Sequence, residues 1–264
     1  MLESFSLATV CAEARCPNRD ECWSRHTATF LVMGAVCTRN CSFCSVASGT
    51  PPALDPTEPA RISGAVKQMG LLHAVITSVT RDDLPDGGAG HLASCIRAVR
   101  GGNPGTAVEV LAPDFSGNGG DIHTVLDASP AVFGHNLETV ERLSPGLRSG
   151  AEYRRSLAVL ATAAQYGGIP VKSGLMLGLG EEADEIRASL ADLLQAGVSL
   201  LTLGQYLRPS TGQVPVARFV SPAEFDSWKK EALAMGFQGV ASSPFTRSSH
   251  LAAELLAEAT HGKK

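Results

Sequence analysis

Short apolar runs alternate with longer amphipathic stretches along most of the chain. The runs TATFLVMG (27–34), LLHAVITSVT (71–80), TAVEVLAP (106–113), the start of AVFGHNLETV (131–140), IPVKSGLMLGLG (169–180) and SLLTLGQYL (199–207) have the length of strands, and FQGVASSPF (237–245) is a seventh candidate. Helical patterns fill the gaps near 57–70, 88–100, 119–128, 152–167, 182–196 and 222–235, and 247–260 predicts a closing helix. Strands apolar on both faces, separated by helices, predict repeated βα units and a parallel sheet. Six or so units favour a barrel or partial barrel over an open sheet, and periodicity alone does not separate them. Polar clusters recur where strands end: TSVTRDD, HNLE, KSG…GLGE and QYLRPS. In a parallel barrel all strand C-termini share one face, the face on which sites are built.

Composition narrows the class. A chain of 264 residues can bury a substantial core as one α/β domain, and 44% apolar with 18% charged residues and a mean hydropathy of +0.07 is ordinary for a globular protein. The net charge of −4 argues against a general nucleic-acid surface. No apolar run approaches the roughly 18 residues of a membrane helix. The opening MLESFSLATVCAEA has neither a secretory nor an organellar leader pattern, so a reducing cytoplasmic location is expected.

Six of the seven cysteines are crowded between Cys11 and Cys44. Cys11, Cys16 and Cys22 are spaced C-x4-C-x5-C, and Cys37, Cys41 and Cys44 are spaced C-x3-C-x2-C directly after the first predicted strand. Three thiolates on a short loop can bind three irons of a four-iron cluster and leave the fourth open to a substrate or cofactor. A disulfide framework does not suit a chain this long without a secretory leader. Zinc would favour paired C-x2-C knuckles, and only Cys41 and Cys44 have that spacing. Cys95, alone in a predicted helix, reads as a small buried hydrophobe.

The second triplet resembles the signature of the radical S-adenosylmethionine superfamily. Both triplets, in this order and this close, resemble the lipoyl synthase family, as do RDDLPDGG (81–88), HNLETV (135–140), YRRSL (153–157), KSGLMLGLGE (172–181), QYLRPS (205–210) and RSS (247–249). The resemblance runs from Cys11 to His250. It implies a partial (β/α)6 TIM-like barrel of the radical SAM type, as one compact domain. Residues 1–26 would form an N-terminal segment with auxiliary cluster ligands, 27–236 the barrel, and 237–264 a closing segment with the serine motif.

By the same resemblance, Cys37, Cys41 and Cys44 hold a [4Fe–4S] cluster whose open iron chelates S-adenosylmethionine. An electron then cleaves the cofactor to methionine and a 5′-deoxyadenosyl radical. The radical takes hydrogens from C6 and C8 of a protein-bound octanoyl-lysine, and a second [4Fe–4S] cluster donates the sulfur. Cys11, Cys16 and Cys22 would hold that auxiliary cluster, with Ser249 as its fourth ligand and Ser248 as the alternative. The implied partners are an octanoylated lipoyl carrier (a glycine cleavage H protein or the lipoyl domain of a 2-oxoacid dehydrogenase E2), a ferredoxin or flavodoxin donor, and an iron–sulfur carrier. Neither nucleic acid nor membrane is among them.

Strand-end groups are expected to cradle the cofactor: Thr77, Ser78, Asn136, Glu138, Arg154 and Lys172 for its amino, carboxylate and ribose groups. Gly178 and Gly180 would let backbone approach the adenine, or serve only as a tight strand-to-helix turn. RDDLPDGG is balanced between a functional segment and a capped turn built on Pro85 and Asp86. Arg208 favours a functional reading, since an Arg before Pro at a strand end has little packing reason. His135, at a strand end beside Asn136, is the one histidine to watch, whereas His26, His73, His91, His123 and His261 read as surface or satisfied core residues, and Glu181 and Glu182 suit the start of the following helix.

Two features depart from the family pattern: only ten residues precede Cys11, and His250 replaces the tyrosine of an R-S-S-Y motif. Rival readings are a biotin-synthase-like sulfur-inserting enzyme, which would lack the N-terminal triplet and serine motif, and a non-catalytic iron–sulfur or zinc protein on the same scaffold.

Overall fold

The computed structural model describes residues 7–10 and 16–261, and the chain divides into two compact units. The first comprises Met1–Asn40 and Val46–Phe133; the second comprises Cys41–Ser45 and Gly134–Lys264.

The first unit runs β1 (Ala8–Thr9), α1 (Arg19–Ser24), β2 (Thr27–Val32), β3 (Val36–Cys37), β4 (Ala47–Ser48), α2 (Glu58–Met69), β5 (His73–Ser78), α3 (Ala89–Gly102), β6 (Ala107–Leu111), α4 (Gly119–Leu126) and β7 (Val132–Gly134), whose last glycine opens the second unit. Its strand order is β1-β2-β5-β6-β7, with β3 and β4 paired separately. β2, β5 and β6 are parallel and in register, Phe30 opposite Ile76 and Ile76 opposite Val110. All six residues of β2 and five of six in β5 are buried, which is why these strands read as continuous apolar runs. Ile62 and Val66 of α2, and Leu92, Ile96 and Val99 of α3, are wholly buried at helical spacing. His73 is a satisfied core residue, its Nε2 3.3 Å from Glu109 on the neighbouring strand.

The second unit runs α5 (Ser144–Leu147), α6 (Tyr153–Tyr166), β8 (Val171–Leu177), α7 (Ala183–Gln195), β9 (Leu200–Gln205), α8 (Pro222–Met235), β10 (Gly239–Ser243) and α9 (Ala252–His261). β8, β9 and β10 pair in parallel in that order. Two helix starts are written in the sequence. Ser221 caps α8 by accepting the Glu224 amide at 3.2 Å, with Pro222 in the first turn, and Glu185 reaches back to the Glu182 amide at 2.8 Å to open α7. Ile186, Leu190 and Leu193 of α7 bury the face whose spacing predicted the helix.

The seven predicted strands are thus β2 and β5–β10, all parallel, and neither unit's sheet closes on itself, so the partial form of the barrel is the one found. Periodicity did not foresee β1, which pairs antiparallel with β2, nor the β3–β4 pair, nor α1. Two-residue strands and a six-residue helix are too short to establish a period. Among the described residues no helix is long and apolar enough to cross a membrane.

Candidate functional site

In the first unit, Cys37 ends β3, and its half-buried Sγ accepts two backbone N–H groups, from Arg39 at 3.4 Å and Thr80 at 3.3 Å. Thr80 lies two residues past β5, and its carbonyl in turn accepts the Thr38 amide at 3.1 Å. Arg39 fixes the other side of the loop through forked bonds to Asp82 and Asp114. Burial works against its charge, but the two carboxylates outweigh it and raise its pKa.

The RDDLPDGG segment is therefore scaffold to Cys37 as well as a turn. Asp82 grips Arg39, while buried Arg81 donates to Asp83 at 2.8 and 2.7 Å. Asp86 accepts the amides of Gly88 and Gly90, both at 2.9 Å, to start α3. Beside it lies a cavity of about 120 Å³ lined by Thr80, Asp82, Pro85, Gly87, Phe115 and Asp121 among others. Of the expected cofactor contacts here, the Thr77 hydroxyl is used within the sheet, donating to the Leu111 carbonyl at 2.9 Å. The Ser78 hydroxyl is buried and has no partner among the described residues. Cys22 lies in α1 and Cys16 just before it, both half-buried. Cys11 falls outside the described residues.

In the second unit, the loop carrying Cys41 and Cys44 is clamped from several sides. Ser42 donates its amide to Leu147 at 3.0 Å and accepts that of Val214 at 2.9 Å, and Gln213 Nε2 donates to the Cys44 carbonyl at 3.0 Å. Phe43 packs against Leu147, Leu179 and Tyr206, so the aromatic between the two thiols anchors the loop. Burial, and then the charge of Cys44, push the Cys41 thiol up to about 11; the Ser149 backbone and the Arg148 cation oppose them.

Arg148 belongs to a polar group that also holds Asn136, Glu138, Ser156, His135 and Ser248. It donates to Ser156 Oγ at 2.9 Å and to the Asn136 carbonyl at 3.3 Å, while His135 Nε2 lies 2.9 Å from the same Oγ. Asn136 donates to Glu138 at 3.1 Å and accepts the Ser248 hydroxyl at 3.1 Å. Burial raises the Glu138 pKa, with Arg148 and Asn136 pulling it back. Glu138 has φ +67, an uncommon conformation for a residue with a side chain. It is held there because its amide bonds Gly174 at 2.9 Å and its carbonyl accepts the Met176 amide at 2.8 Å.

The remaining expected contacts lie on several elements. Lys172 is buried on β8. Gly178 and Gly180 have φ +96 and +107. Glu181, expected at the helix start, instead binds its own loop, accepting the amides of Gly178 at 2.7 Å and Leu179 at 2.9 Å. Arg154 lies exposed on α6, paired with Glu141 at 2.7 Å. Arg208 is exposed and donates to the Gln213 carbonyl at 2.7 Å within its own loop. Ser249 is half-buried, and His250 is buried with its amide bonded to Arg247 at 2.9 Å. Sequence reasoning missed Arg39 and Arg148. The only signals were position, one arginine inside the second triplet and another among the glycines of SPGLRSG.

These residues fit the groups the motifs imply. Two amides aimed at the Cys37 sulfur suit a thiolate carrying metal-ligand charge, and the Ser78 hydroxyl is a buried polar atom left for a ligand to satisfy.

Comparison with known proteins agrees. Residues 31–193 match the family model of the radical SAM superfamily. Solved structures share the fold at low identity: methylornithine synthase (TM-score 0.57, 16% identical, covering 83% of this chain and 66% of that one) and Streptococcus suis SuiB bound to S-adenosylmethionine (TM-score 0.60, 11% identical, covering 83% and 50%). The fold and the cysteine loop thus define a radical SAM enzyme. Curated lipoyl synthases narrow this further. That of Rubrobacter xylanophilus is 53% identical over 99% of this chain and 82% of its own, and that of Caldicellulosiruptor bescii is 51% identical over 96% and 87%. The chain belongs to the lipoyl synthase family. It is accordingly a sulfur-inserting enzyme whose cofactors are S-adenosylmethionine and [4Fe–4S] clusters, acting on a lipoyl-carrier protein with the help of an electron donor.

Proposed function

We propose that Cys37, Cys41 and Cys44 hold the cluster that binds S-adenosylmethionine, and that Cys11, Cys16 and Cys22 with Ser249 hold the auxiliary cluster. The observation that carries the first of these assignments is the pair of amides, from Arg39 and Thr80, directed at Cys37 Sγ. When bound, the first cluster and its cofactor supply the radical that activates C6 and C8 of an octanoyl-lysine, and the second supplies the inserted sulfur.

The chain's own part is binding and orientation. Arg148 offers a buried cation for a carboxylate, and Glu138 and Asn136 offer acceptors for an ammonium or ribose hydroxyls. Ser78 offers a hydroxyl that nothing in the protein satisfies among the described residues. Thr77, Lys172, Gly178, Gly180, Arg154 and Arg208 complete the proposed shell, the last two only after exchanging their present partners. We assign residues 1–26 and 237–264 to the auxiliary cluster and 27–236 to the radical chemistry. The carrier would be an H protein or an E2 lipoyl domain, the donor a ferredoxin or flavodoxin, the cluster source an iron–sulfur carrier, and the setting the cytoplasm.

Anaerobic reconstitution should load roughly eight irons per chain as two four-iron clusters. Given reductant, S-adenosylmethionine and an octanoyl-lysyl peptide, the loaded enzyme should add two sulfurs, read by mass spectrometry. Loading of one cluster only would overturn the ligand assignment. Cofactor cleavage without sulfur transfer would overturn the substrate.

A further inference from the structure

One group of side chains in the first unit has ligand chemistry that the reaction does not use. Glu58 opens α2, and His91 and Cys95 stand four residues apart on α3, so both lie on one face of that helix. A carboxylate oxygen of Glu58, a ring nitrogen of His91 and the Sγ of Cys95 all lie within 4.8 Å of one another. Glu58 and Cys95 are buried, and the His91 side chain is only 8% exposed. Glu58 Oε2 is 2.6 Å from His91 Nε2 and accepts the Met33 amide at 3.0 Å.

We propose that Glu58, His91 and Cys95 form a zinc-binding site, with a fourth position left for water.

The donor set selects the metal. Calcium and magnesium call for oxygen ligands throughout, whereas one thiolate, one imidazole and one carboxylate suit zinc. Zinc takes sulfur at about 2.3 Å and nitrogen or oxygen at about 2.0–2.2 Å, so its donor atoms sit roughly 3.2–3.7 Å apart. The three donor atoms already lie within 4.8 Å of one another, and the 2.6 Å Glu58–His91 pair would open to reach that spacing. The proton balance is simple. The thiol proton of Cys95 leaves to solvent, the imidazole keeps its one proton on the ring nitrogen not bound to metal, and Glu58 binds as the carboxylate. Burial and the nearby Glu58 charge raise the Cys95 pKa. The bound ion would tie the first turn of α2 to α3. Through the Met33 amide it would also steady the segment between β2 and Cys37.

The test uses the anaerobically reconstituted protein, offered one equivalent of zinc and then desalted. Metal analysis should find about one zinc per chain, and X-ray absorption should place one sulfur at about 2.3 Å with the other neighbours nitrogen or oxygen. Zinc surrounded by three or four sulfurs would sit on the cluster cysteines and overturn the proposal, as would zinc lost on desalting. Cys95→Ala leaves the Glu58–His91 pair in place and should weaken zinc binding at least tenfold with the iron content unchanged; wild-type affinity in that variant would also overturn it. The sulfur count around zinc is read independently of iron loading, so failure of the cluster assignment would not mimic failure of this one.

Discussion

Arg39 meets Asp114 through both terminal nitrogens at 2.9 Å each, and the same guanidinium takes Asp82 through Nε at 2.9 Å and Nη2 at 2.7 Å. The Asp114 side chain is 1% exposed and that of Arg39 9%, so Arg39 supplies the counter-charge to a carboxylate that solvent scarcely reaches. Arg39→Ala should therefore cost about 3–5 kcal/mol in denaturant unfolding, because it strands a buried carboxylate. Arg39→Lys keeps the charge but not the fork, and should fall between. A loss below about 1 kcal/mol for Arg39→Ala would mean that solvent reaches Asp114 freely.

The same contact sets a pH dependence. The hydrogen bond from Arg39 is the main cause holding the Asp82 pKa below its ordinary value, and Arg142 and Arg218 do the same for Glu185 and Glu224. A carboxylate depressed in the folded state contributes stability that is fully present above its unfolded pKa and is lost as pH falls through the folded one. The contribution of these three carboxylates should thus be constant from neutrality down to about pH 5 and be lost below about pH 4. In Arg39→Ala the decline should be shallower, which paired denaturant titrations at pH 7 and pH 3.5 would show; equal slopes would remove Asp82 from the account.

Gly178 and Gly180 share a positive φ but differ in surroundings. A Cβ on Gly178 would lie 2.2 Å from Gln205 Nε2 and 2.4 Å from the Arg218 carbonyl, a backbone atom that cannot step aside. On Gly180 the nearest atom, Ala217 Cβ, is 3.8 Å away. Gly180→Ala should cost only the conformational strain, about 1–2 kcal/mol, and Gly178→Ala clearly more. Equal melting temperatures for the two variants would refute the difference.

The strands and helices that carry the core were legible because burial on both faces leaves an unbroken apolar run and helices repeat their buried positions. The cysteines were legible as a group because spacing is a covalent property. What could not be read was reach across the sequence. Arg39 binds Asp114 from 75 residues away, and Ser248 meets Asn136 across 112. Arg154 illustrates the same limit: its position after a strand end is legible, but its pairing with Glu141, thirteen residues before it, is not. The sequence places Glu181 before α7, where a carboxylate suits the helix dipole, but the loop turns that carboxylate onto Gly178 and Leu179.

The two triplets should fail differently. Cys41→Ala should abolish cleavage of S-adenosylmethionine and, with it, sulfur transfer. Cys16→Ala should retain cleavage and transfer no sulfur, with iron falling from roughly eight to roughly four per chain. Identical behaviour of two folded variants would end the proposed division of labour.

Arg148 tests whether the polar group around Glu138 faces the cofactor. It is buried, bonds Ser156 and the Asn136 carbonyl, and is the cation that counters both Glu138 and the Cys41 thiolate. Without it, burial would act on Glu138 unopposed except by Asn136, and the carboxylate would rise further toward its neutral form. A neutral Glu138 cannot hold an ammonium, and a cofactor carboxylate would lose its nearest buried cation. Arg148→Ala should therefore raise the S-adenosylmethionine concentration needed for half-maximal cleavage by about tenfold or more, a loss of at least about 1.4 kcal/mol. Arg148→Lys should recover part of that, since charge matters more here than the fork. Iron content, measured in parallel, should stay at the wild-type level in both. If cleavage by Arg148→Ala saturates at the wild-type concentration, the group holds the loop and not the cofactor.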